Sequence, residues 1–309
     1  MTTNEASPRN YALHRANMLA GAAASAQAFN ATVLAGFGFQ ALTPPDLDGP
    51  APPVGATAPF MRHRDDEAHN PPGTANDFLE IWDFHVDWVT PLNSTFTGPT
   101  NIAVTDFSSD LCGFFTFSCI PQPSGTNALD PLREVIMYRL QYRNFGTHRS
   151  LVGNFATNLT PPGVRAGVRW FELRKVGTNP WTLTQQGTYS PDATNRWMGA
   201  SSMDRDRNFA VAYSVSSSAV FPGLRYAGRL AGDPLGTLPQ GEATIVNGSA
   251  SNGHFRWGDY FEMGVDPVDG CTFWFFGAYS PVAQWRTRIA AFKFDSCPDL
   301  IFADGFQAG

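Results

Sequence analysis

Four arginines stand beside segments rich in strand-forming residues: Arg62, Arg143, Arg196 and Arg256. A guanidinium group presents a planar fork of donors, which binds a carboxylate through two parallel hydrogen bonds. Brought together, the four groups would form a cationic ring that binds the carboxylates of an acidic sugar or polymer. The alternative is that each arginine pairs with an acidic residue of a neighbouring structural unit and has a structural role.

Aromatic and acidic residues follow two of these arginines. They are Trp197, Trp257, Asp259 and Tyr260. In a ligand site the indole rings would stack against sugars, while Asp259 and Tyr260 would orient the ligand or exchange protons with it. Packing between structural units is the competing interpretation for both tryptophans. A hydrolase would also need a general acid or base, for which the candidates are Asp259, Glu262 and Asp65.

Residues 63–69, HRDDEAH, place three consecutive acids between two histidines. Calcium prefers carboxylate oxygens, so Asp65, Asp66 and Glu67 form a candidate calcium site. A transition metal becomes the candidate if the histidines also bind. The spacing matches neither an EF-hand loop nor the His-Glu-x-x-His pattern of zinc proteases, and a solvated charged loop is the alternative. No cofactor other than calcium is expected.

The four cysteines form a close pair and a wider pair along the chain: Cys112 and Cys119, and Cys271 and Cys297. Two disulfides would fit an exported protein, whereas four reduced thiols would fit a cytosolic one, and the spacing leaves the connectivity open. A loop closed at the first pair would carry three phenylalanines as a contact patch for a partner or a polymer surface: Phe114, Phe115 and Phe117. Packing over the end of a sheet is the other use of these rings.

A sixty-residue offset relates two stretches, RWMGASSMDRD from Arg196 to Asp206 and RWGDYFEMGVD from Arg256 to Asp266. Each stretch is followed by turn residues and by two further strand-like segments, which predicts a small antiparallel sheet. Sheets that recur at about 40 to 60 residues predict an all-β fold, a β-propeller of four-stranded antiparallel blades, with a β-sandwich as the alternative. In a propeller the loops around the central channel carry ligand contacts, which is where the arginines would lie.

Two further segments carry local predictions. In an earlier unit, Pro59 to His63 and Phe78 to Trp88 are predicted as first and third strands, following the same order of strands as in the two stretches above. The stretch from Ala16 to Phe29 is predicted as the one helix, because it is rich in alanine.

The composition of the 309-residue chain supports this fold class and excludes some functions. Charged residues make up 16% and aromatic residues 13%, and 29 glycines and 24 prolines supply turns, a combination that favours β-structure. The net charge of −6 argues against a nucleic-acid partner. No run of about eighteen apolar residues occurs, so no membrane span is expected.

Several segments resemble a little-characterised family of secreted bacterial propeller-like proteins, among them FMRHRDDEAHN, FLEIWDFHVDW, GVRWFELRK and RWMGASSMD. The resemblance covers nearly the whole chain. It implies a secreted or extracellular propeller over residues 1–298, with about five units of which the first is incomplete, as the C-terminal part of a ring of about seven. Residues 299–309 form a tail, and its LIFADGFQAG is similar to a sequence common at the end of exported proteins of some Gram-negative bacteria.

These observations predict a secreted, non-enzymatic binding or interaction propeller. Its partner would be an anionic glycan or another extracellular or cell-surface molecule, because arginines bind carboxylates well. The alternative is a hydrolase that acts on acidic glycans at an arginine-lined central site. The family resemblance implies no catalytic residue.

Overall fold

The computed structural model describes residue 3 and residues 8–34, 40–69, 76–113, 117–124 and 127–297. The predicted tail at residues 299–309 and two phenylalanines of the aromatic loop, Phe114 and Phe115, lie outside these residues.

In chain order the elements up to residue 144 are β1 (Arg9–Leu13), α1 (Arg15–Leu19), β2 (Ala26–Asn30), β3 (Pro45–Asp48), β4 (Ala58–Arg64), α2 (Asp66–His69), β5 (Phe78–His85), a 3-10 turn (Pro91–Asn93), β6 (Thr95–Ala103) and β7 (Leu140–Asn144). The later elements are strands: β8 (Arg149–Asn158), β9 (Ala166–Lys175), β10 (Thr182–Tyr189), β11 (Asn195–Met203), β12 (Phe209–Ser216), β13 (Gly223–Arg229), β14 (Glu242–Val246), β15 (Glu262–Val265), β16 (Phe273–Tyr279) and β17 (Arg286–Phe292). The described chain is therefore almost entirely strand and loop, and the all-β prediction is confirmed.

The strands of the described residues form five sheets, which we number along the chain. The first contains β1 and β2, the second β4–β5–β6, the third β10–β9–β8–β7–β3, the fourth β11–β12–β13–β14 and the fifth β15–β16–β17. Neighbouring strands are antiparallel except β3 and β7, which are parallel. Within the described residues no sheet closes into a barrel. The prediction of small antiparallel sheets is confirmed. The alternative, a β-sandwich, does not match this arrangement, because a sandwich consists of two facing sheets.

Consecutive sheets share hydrophobic clusters. His63 of the second sheet stacks on Phe155 of the third with ring centroids 4.7 Å apart. Trp170 of the third sheet stacks on Phe209 of the fourth at 4.8 Å. Phe275 of the fifth sheet belongs to a cluster that includes some of the buried residues of β11 and β12. The sheets therefore follow one another in space in the same order as in the sequence.

The fourth and fifth sheets differ in how many of their faces are covered. Every residue of β11 and β12 is buried, because the third sheet packs on one face and the fifth on the other. In β16, Phe273 and Phe275 are buried whereas Trp274 and Phe276 are exposed. Side chains alternate between the faces of a strand, so one face of the fifth sheet packs on the fourth and the other carries exposed aromatic rings.

Two local predictions are confirmed only in part. The helix predicted between Ala16 and Phe29 is a short helix followed by β2, because residues 26–30 pair with β1 and Phe29 packs in a hydrophobic cluster. This tertiary pairing overrides the helix propensity of alanine. The strands predicted at Pro59 to His63 and Phe78 to Trp88 as first and third of a unit are direct neighbours, since β4 pairs with β5 along its whole length.

The sixty-residue offset only approximates the structural repeat. The two hairpin turns begin at Asp204 and at Asp266, so the structure equates these two residues rather than Asp206 and Asp266. Arg196 lies within β11, whereas Arg256 lies in the loop before β15. The matched arginines therefore differ in position, one within a strand and the other in a loop.

Candidate functional site

Arg196 near the start of β11 is buried and fully hydrogen-bonded. Its Nε donates to Glu242 Oε2 at 2.7 Å and its Nη1 donates to Asp192 Oδ1 at 2.9 Å. The remaining N–H groups donate to the Thr194 carbonyl and to the second oxygens of both carboxylates. Burial opposes the charge, yet the hydrogen bonds outweigh it and raise the pKa of Arg196. All donors of this guanidinium are thus bound within the fourth sheet and the turn before it.

Arg62 and Arg143 are buried in the second and third sheets. Arg62 donates to Glu80 Oε2 and to the Thr32 carbonyl, both at 2.7 Å, and Arg143 donates to the Met203 carbonyl at 3.4 Å. Burial lowers the pKa of both arginines. Each buried arginine therefore belongs to a different sheet and has its own partners. The cationic ring stays a prediction that none of these contacts supports.

Arg256 is the exposed member of the predicted set, with 62% of its side chain accessible. It donates to Asp259 in its own loop and to Asp130 Oδ2 at 3.5 Å. The backbone carbonyl of Asp130 accepts a hydrogen bond from the Trp197 indole at 3.1 Å. Burial raises the pKa of Asp130, a rise to which the charge of Asp259 contributes and which the charge of Arg256 opposes. The guanidinium of Arg256 is thus shared between two carboxylates.

Trp197 of β11 and Trp257 of this loop are both buried. Their ring centroids are 6.4 Å apart, and the Trp257 indole donates to Ser214 Oγ at 2.8 Å. Both rings belong to the hydrophobic cluster shared by the fourth and fifth sheets. Their burial fits the packing interpretation, because a ring that stacks on a sugar has to offer one face to solvent.

A cleft of about 260 Å³ opens beside Arg256 on the fifth sheet. Four residues predicted from the sequence line it: Arg256, Trp257, Asp259 and Tyr260. Three of its aromatic residues are exposed, namely Tyr260 (45%), Phe276 (40%) and Trp285 (48%). The cleft therefore combines aromatic faces with an accessible ion pair, a composition that suits a polar, ring-shaped ligand.

Phe276 and Trp285 are absent from the sequence-based prediction of the site. A signal for Phe276 exists, because Phe273, Trp274, Phe275 and Phe276 are consecutive aromatic residues in one strand. Alternation places two of these rings on each face, so one face exposes aromatic rings unless another sheet covers it. Trp285 has no comparable signal, since it lies in the loop before β17 and reaches the cleft only through the pairing of β16 with β17.

The acidic segment after β4 forms a compact carboxylate group that also includes Asp77. Ligand oxygens of Asp65, Asp66, Glu67 and Asp77 lie within 4.8 Å of one another. Asp65 is fully buried and accepts a hydrogen bond from the Ser109 hydroxyl at 2.6 Å. Hydrogen bonding to Asp65 raises the pKa of Glu67 to about 8, and burial raises the pKa of Asp77 to about 7. Asp77 lies too far along the chain for the sequence pattern to have included it.

The group offers carboxylate oxygens, which are the ligands that calcium prefers, yet most of these oxygens already have protein partners. Both oxygens of Asp65 accept hydrogen bonds, and those of Asp77 accept from the amides of Asp66 and Phe107 at 3.0 and 2.6 Å. Asp66 Oδ1 is buried, and no described residue forms a hydrogen bond with it. As it stands, the group joins α2 and the loop after β6 to β4. Calcium binding stays a prediction.

The acids and bases proposed for a hydrolase are scattered. Asp65 is buried in the carboxylate group, and Glu262 is exposed at 3.8 Å from Arg139 Nη1. Burial lowers the pKa of His63 to about 3 and that of His69 to about 4, so both rings are neutral at pH 7. Only Asp259 of the three predicted acids lines the cleft beside Arg256.

Both cysteine pairs are disulfides. The Cα atoms are 5.2 Å apart in Cys112–Cys119 and 6.2 Å apart in Cys271–Cys297. Phe117, the phenylalanine of the first loop that the structure describes, is 56% exposed, and the Arg133 guanidinium carbon lies 5.6 Å from its ring centroid. The two disulfides are compatible with an extracellular protein, because disulfides persist in oxidising environments.

The chain matches no protein-family model and no curated protein. The resemblance to a family of secreted bacterial propeller-like proteins therefore stays an expectation. Among the residues that the structure describes, no helix is long and apolar enough to cross a membrane.

Proposed function

We propose that this chain is an extracellular, non-enzymatic protein that binds a glycan in the cleft beside Arg256. The observation that carries the proposal is the set of three exposed aromatic rings next to an accessible arginine–carboxylate pair. Two disulfides support an extracellular location. We further propose that the five sheets are consecutive blades of a β-propeller, since they pack on one another in chain order and the fourth is a four-stranded antiparallel meander.

A sugar ring has apolar C–H groups and polar hydroxyl groups, and the cleft offers contacts for both. The C–H face of a pyranose is apolar and packs on an aromatic ring, for which Trp285, Phe276 and Tyr260 are available. The hydroxyl groups of a sugar need both donors and acceptors, which Arg256 and Asp259 supply together. Hydrogen bonds to charged partners are the stronger kind, so this pair orients the ring that the aromatic residues hold.

The local charge favours a neutral glycan over the acidic one predicted from the sequence. Arg256 already neutralises part of two carboxylates, Asp130 and Asp259. A uronic acid would have to displace Asp259 from the guanidinium and leave that carboxylate beside its own. A neutral sugar avoids this cost because it accepts from Arg256 and donates to Asp259 without separating them.

Calorimetric titration with neutral hexose oligosaccharides and uronic-acid oligosaccharides tests the proposal. We expect Trp285→Ala to weaken binding of the neutral sugars by about tenfold, equivalent to one lost stacking contact. The matched control is Trp274→Ala, because Trp274 is also half exposed on the fifth sheet and lies outside the cleft. Equal losses in both variants, or no binding by the unmodified chain, would contradict the proposal.

The hydrolase alternative has a separate readout. Product release is followed during the same titrations, and a binding protein releases none. Turnover that disappears in Asp259→Asn while binding persists would replace the proposal with an enzyme, because Asp259 is the acid that lines the cleft.

A further inference from the structure

We propose a second binding site, for a phosphate- or sulfate-type oxyanion, in a cleft at one end of the third sheet. The cleft has a volume of about 450 Å³ and lies between the β7–β8 turn, the loop at residues 53–57 and the end of β9. It is separate from the cleft beside Arg256, which lies on the fifth sheet. The proposal does not depend on the proposed glycan binding.

The charged lining of this cleft is entirely basic. Arg149, Lys175 and His148 line it, and among the residues that the structure describes no acidic one does so. Burial lowers the pKa of His148, and the charge of Arg174 lowers it further, so the two cations are Arg149 and Lys175. A purely cationic cleft is unusual on this chain, which has a net charge of −6 and contains only two lysines.

The register of the third sheet places these two cations directly opposite each other. Arg149 at the start of β8 pairs with Lys175 at the end of β9, so both side chains lie on the same face. Like charges at opposite positions destabilise a sheet. Neither residue forms an ion pair with any residue that the structure describes. An anion bound between the two cations would relieve this repulsion.

The contacts of the two cations leave donors available to a ligand. Arg149 donates through Nη2 to the Gly177 carbonyl, which holds the guanidinium at the edge of the cleft. The Lys175 ammonium lies 5.9 Å from the centroid of the Trp181 ring, a contact that uses the charge but none of its three N–H donors. A tetrahedral oxyanion has enough acceptor oxygens to bind both groups at once.

The backbone around the cleft is fixed before any ligand arrives. Asn144 joins the two walls, because its Nδ2 donates to the Ala51 carbonyl at 2.8 Å and its Oδ1 accepts from the Gly146 amide at 3.0 Å. Gly146 and Gly177 have positive φ, and a Cβ at either position would meet no atom within 4 Å. The turns therefore border open space, and a small anion can approach their backbone closely.

Isothermal titration of the whole chain with inorganic phosphate, sulfate and acetate, at ionic strength held constant with chloride, tests the site. We expect phosphate and sulfate to bind and to raise Tm. Lys175→Gln and Arg149→Gln weaken this binding about tenfold each, the effect of one lost charged hydrogen bond. The control is Arg288→Gln, which removes an exposed arginine on β17, away from the cleft.

Loss of the site and loss of the fold are distinguishable by Tm without added oxyanion. Lys175→Gln removes the like-charge opposition together with the contact to Trp181, two effects of similar size and opposite sign, so its Tm is expected to stay close to that of the unmodified chain. Binding of acetate as tightly as phosphate would make the ligand a carboxylate and overturn the assignment to a tetrahedral oxyanion. An equal phosphate response in the unmodified chain, Lys175→Gln and Arg149→Gln would show a general salt effect and no site.

Discussion

The two Arg-Trp segments have the same letters but opposite environments. Arg196 is 1% exposed in its side chain and all its donors are bound, whereas Arg256 is 62% exposed and lines a cleft. Their tryptophans do not differ in this way, because Trp197 and Trp257 are both buried in one shared cluster. A repeated sequence thus preserves the packing residue and changes the role of the charged one.

The number of covered faces explains the difference. The fourth sheet lies between the third and the fifth, so the start of β11 is enclosed and a charge there needs partners of its own sheet. Among the residues that the structure describes, the fifth sheet packs on one side only, and its loop before β15 stays in contact with solvent. Position in the series of sheets, rather than the motif, decides whether the arginine can meet a ligand.

The largest effect that we expect concerns the disulfide of the fifth sheet. Cys271–Cys297 spans 26 residues of sequence, whereas Cys112–Cys119 spans 7. Loop-closure entropy then gives a loss of about 3.5 kcal/mol for Cys271→Ser/Cys297→Ser and about 2.5 kcal/mol for Cys112→Ser/Cys119→Ser. Urea unfolding of the two double variants measures both losses.

Hydrogen exchange of the Cys271→Ser/Cys297→Ser variant shows which strands lose stability when this disulfide is removed. Because the fifth sheet is covered on one face only, we expect amide protection to fall more in β15–β17 than in β11 and β12. A uniform fall across both sheets would contradict the view that the disulfide holds together the less covered of the two.

The next effect separates the two arginines directly. Arg196→Ala removes five hydrogen bonds, and we expect a loss of about 2 to 3 kcal/mol, somewhat below the value for a wholly buried pair because Asp192 and Glu242 remain partly in water. Arg196→Lys is a graded control, since an ammonium cannot reproduce the fork of donors. Urea unfolding in which Arg196→Ala and Arg256→Ala cost the same would remove the distinction between the two segments.

The tryptophans provide the converse test. Trp197→Phe leaves the Asp130 carbonyl without the indole N–H, and Trp257→Phe does the same to Ser214 Oγ. Each change also reduces packing in the same cluster, so we expect similar losses of about 1 to 2 kcal/mol. Thermal or urea unfolding measures both. If the two tryptophan variants differ in stability as widely as the two arginine variants, Trp197 and Trp257 do not have equivalent roles in the shared cluster.

Much of the architecture could be predicted from the sequence, but not its irregular parts. Hairpins such as β11–β12 follow from two strand-like segments on either side of a turn rich in Asp and Asn. β3 was not predictable, because the segment PDLD contains a proline and two aspartates, residues that disfavour strands. It forms a strand only because β7 offers an edge for parallel pairing.

The candidate site was predictable only where its residues are close in sequence. Arg256, Trp257, Asp259 and Tyr260 belong to one loop, and the sequence pattern marks them together. Asp130 approaches Arg256 from far along the chain and carries no local signal. The local sequence also does not indicate whether a sheet has a neighbour on each face. For this reason the same pattern predicts a ligand role for Arg196 as readily as for Arg256.

The smallest effect that we expect is the most specific for the exposed arginine. At pH 7, Arg256→Ala costs about 0.5 kcal/mol or less, the usual value for an exposed ion pair, and less still at high salt. The folded pKa of Asp130 is raised by burial, so its ionisation weakens the fold as pH rises, and Arg256 reduces that weakening. Without Arg256 the loss grows as Asp130 ionises. The cost of Arg256→Ala therefore shrinks as pH falls from 7 to about 4, as urea titrations at several pH values would show. A cost that is constant over this range would mean that Arg256 stabilises the loop by packing, and the comparison with Arg196 would then no longer rest on charge.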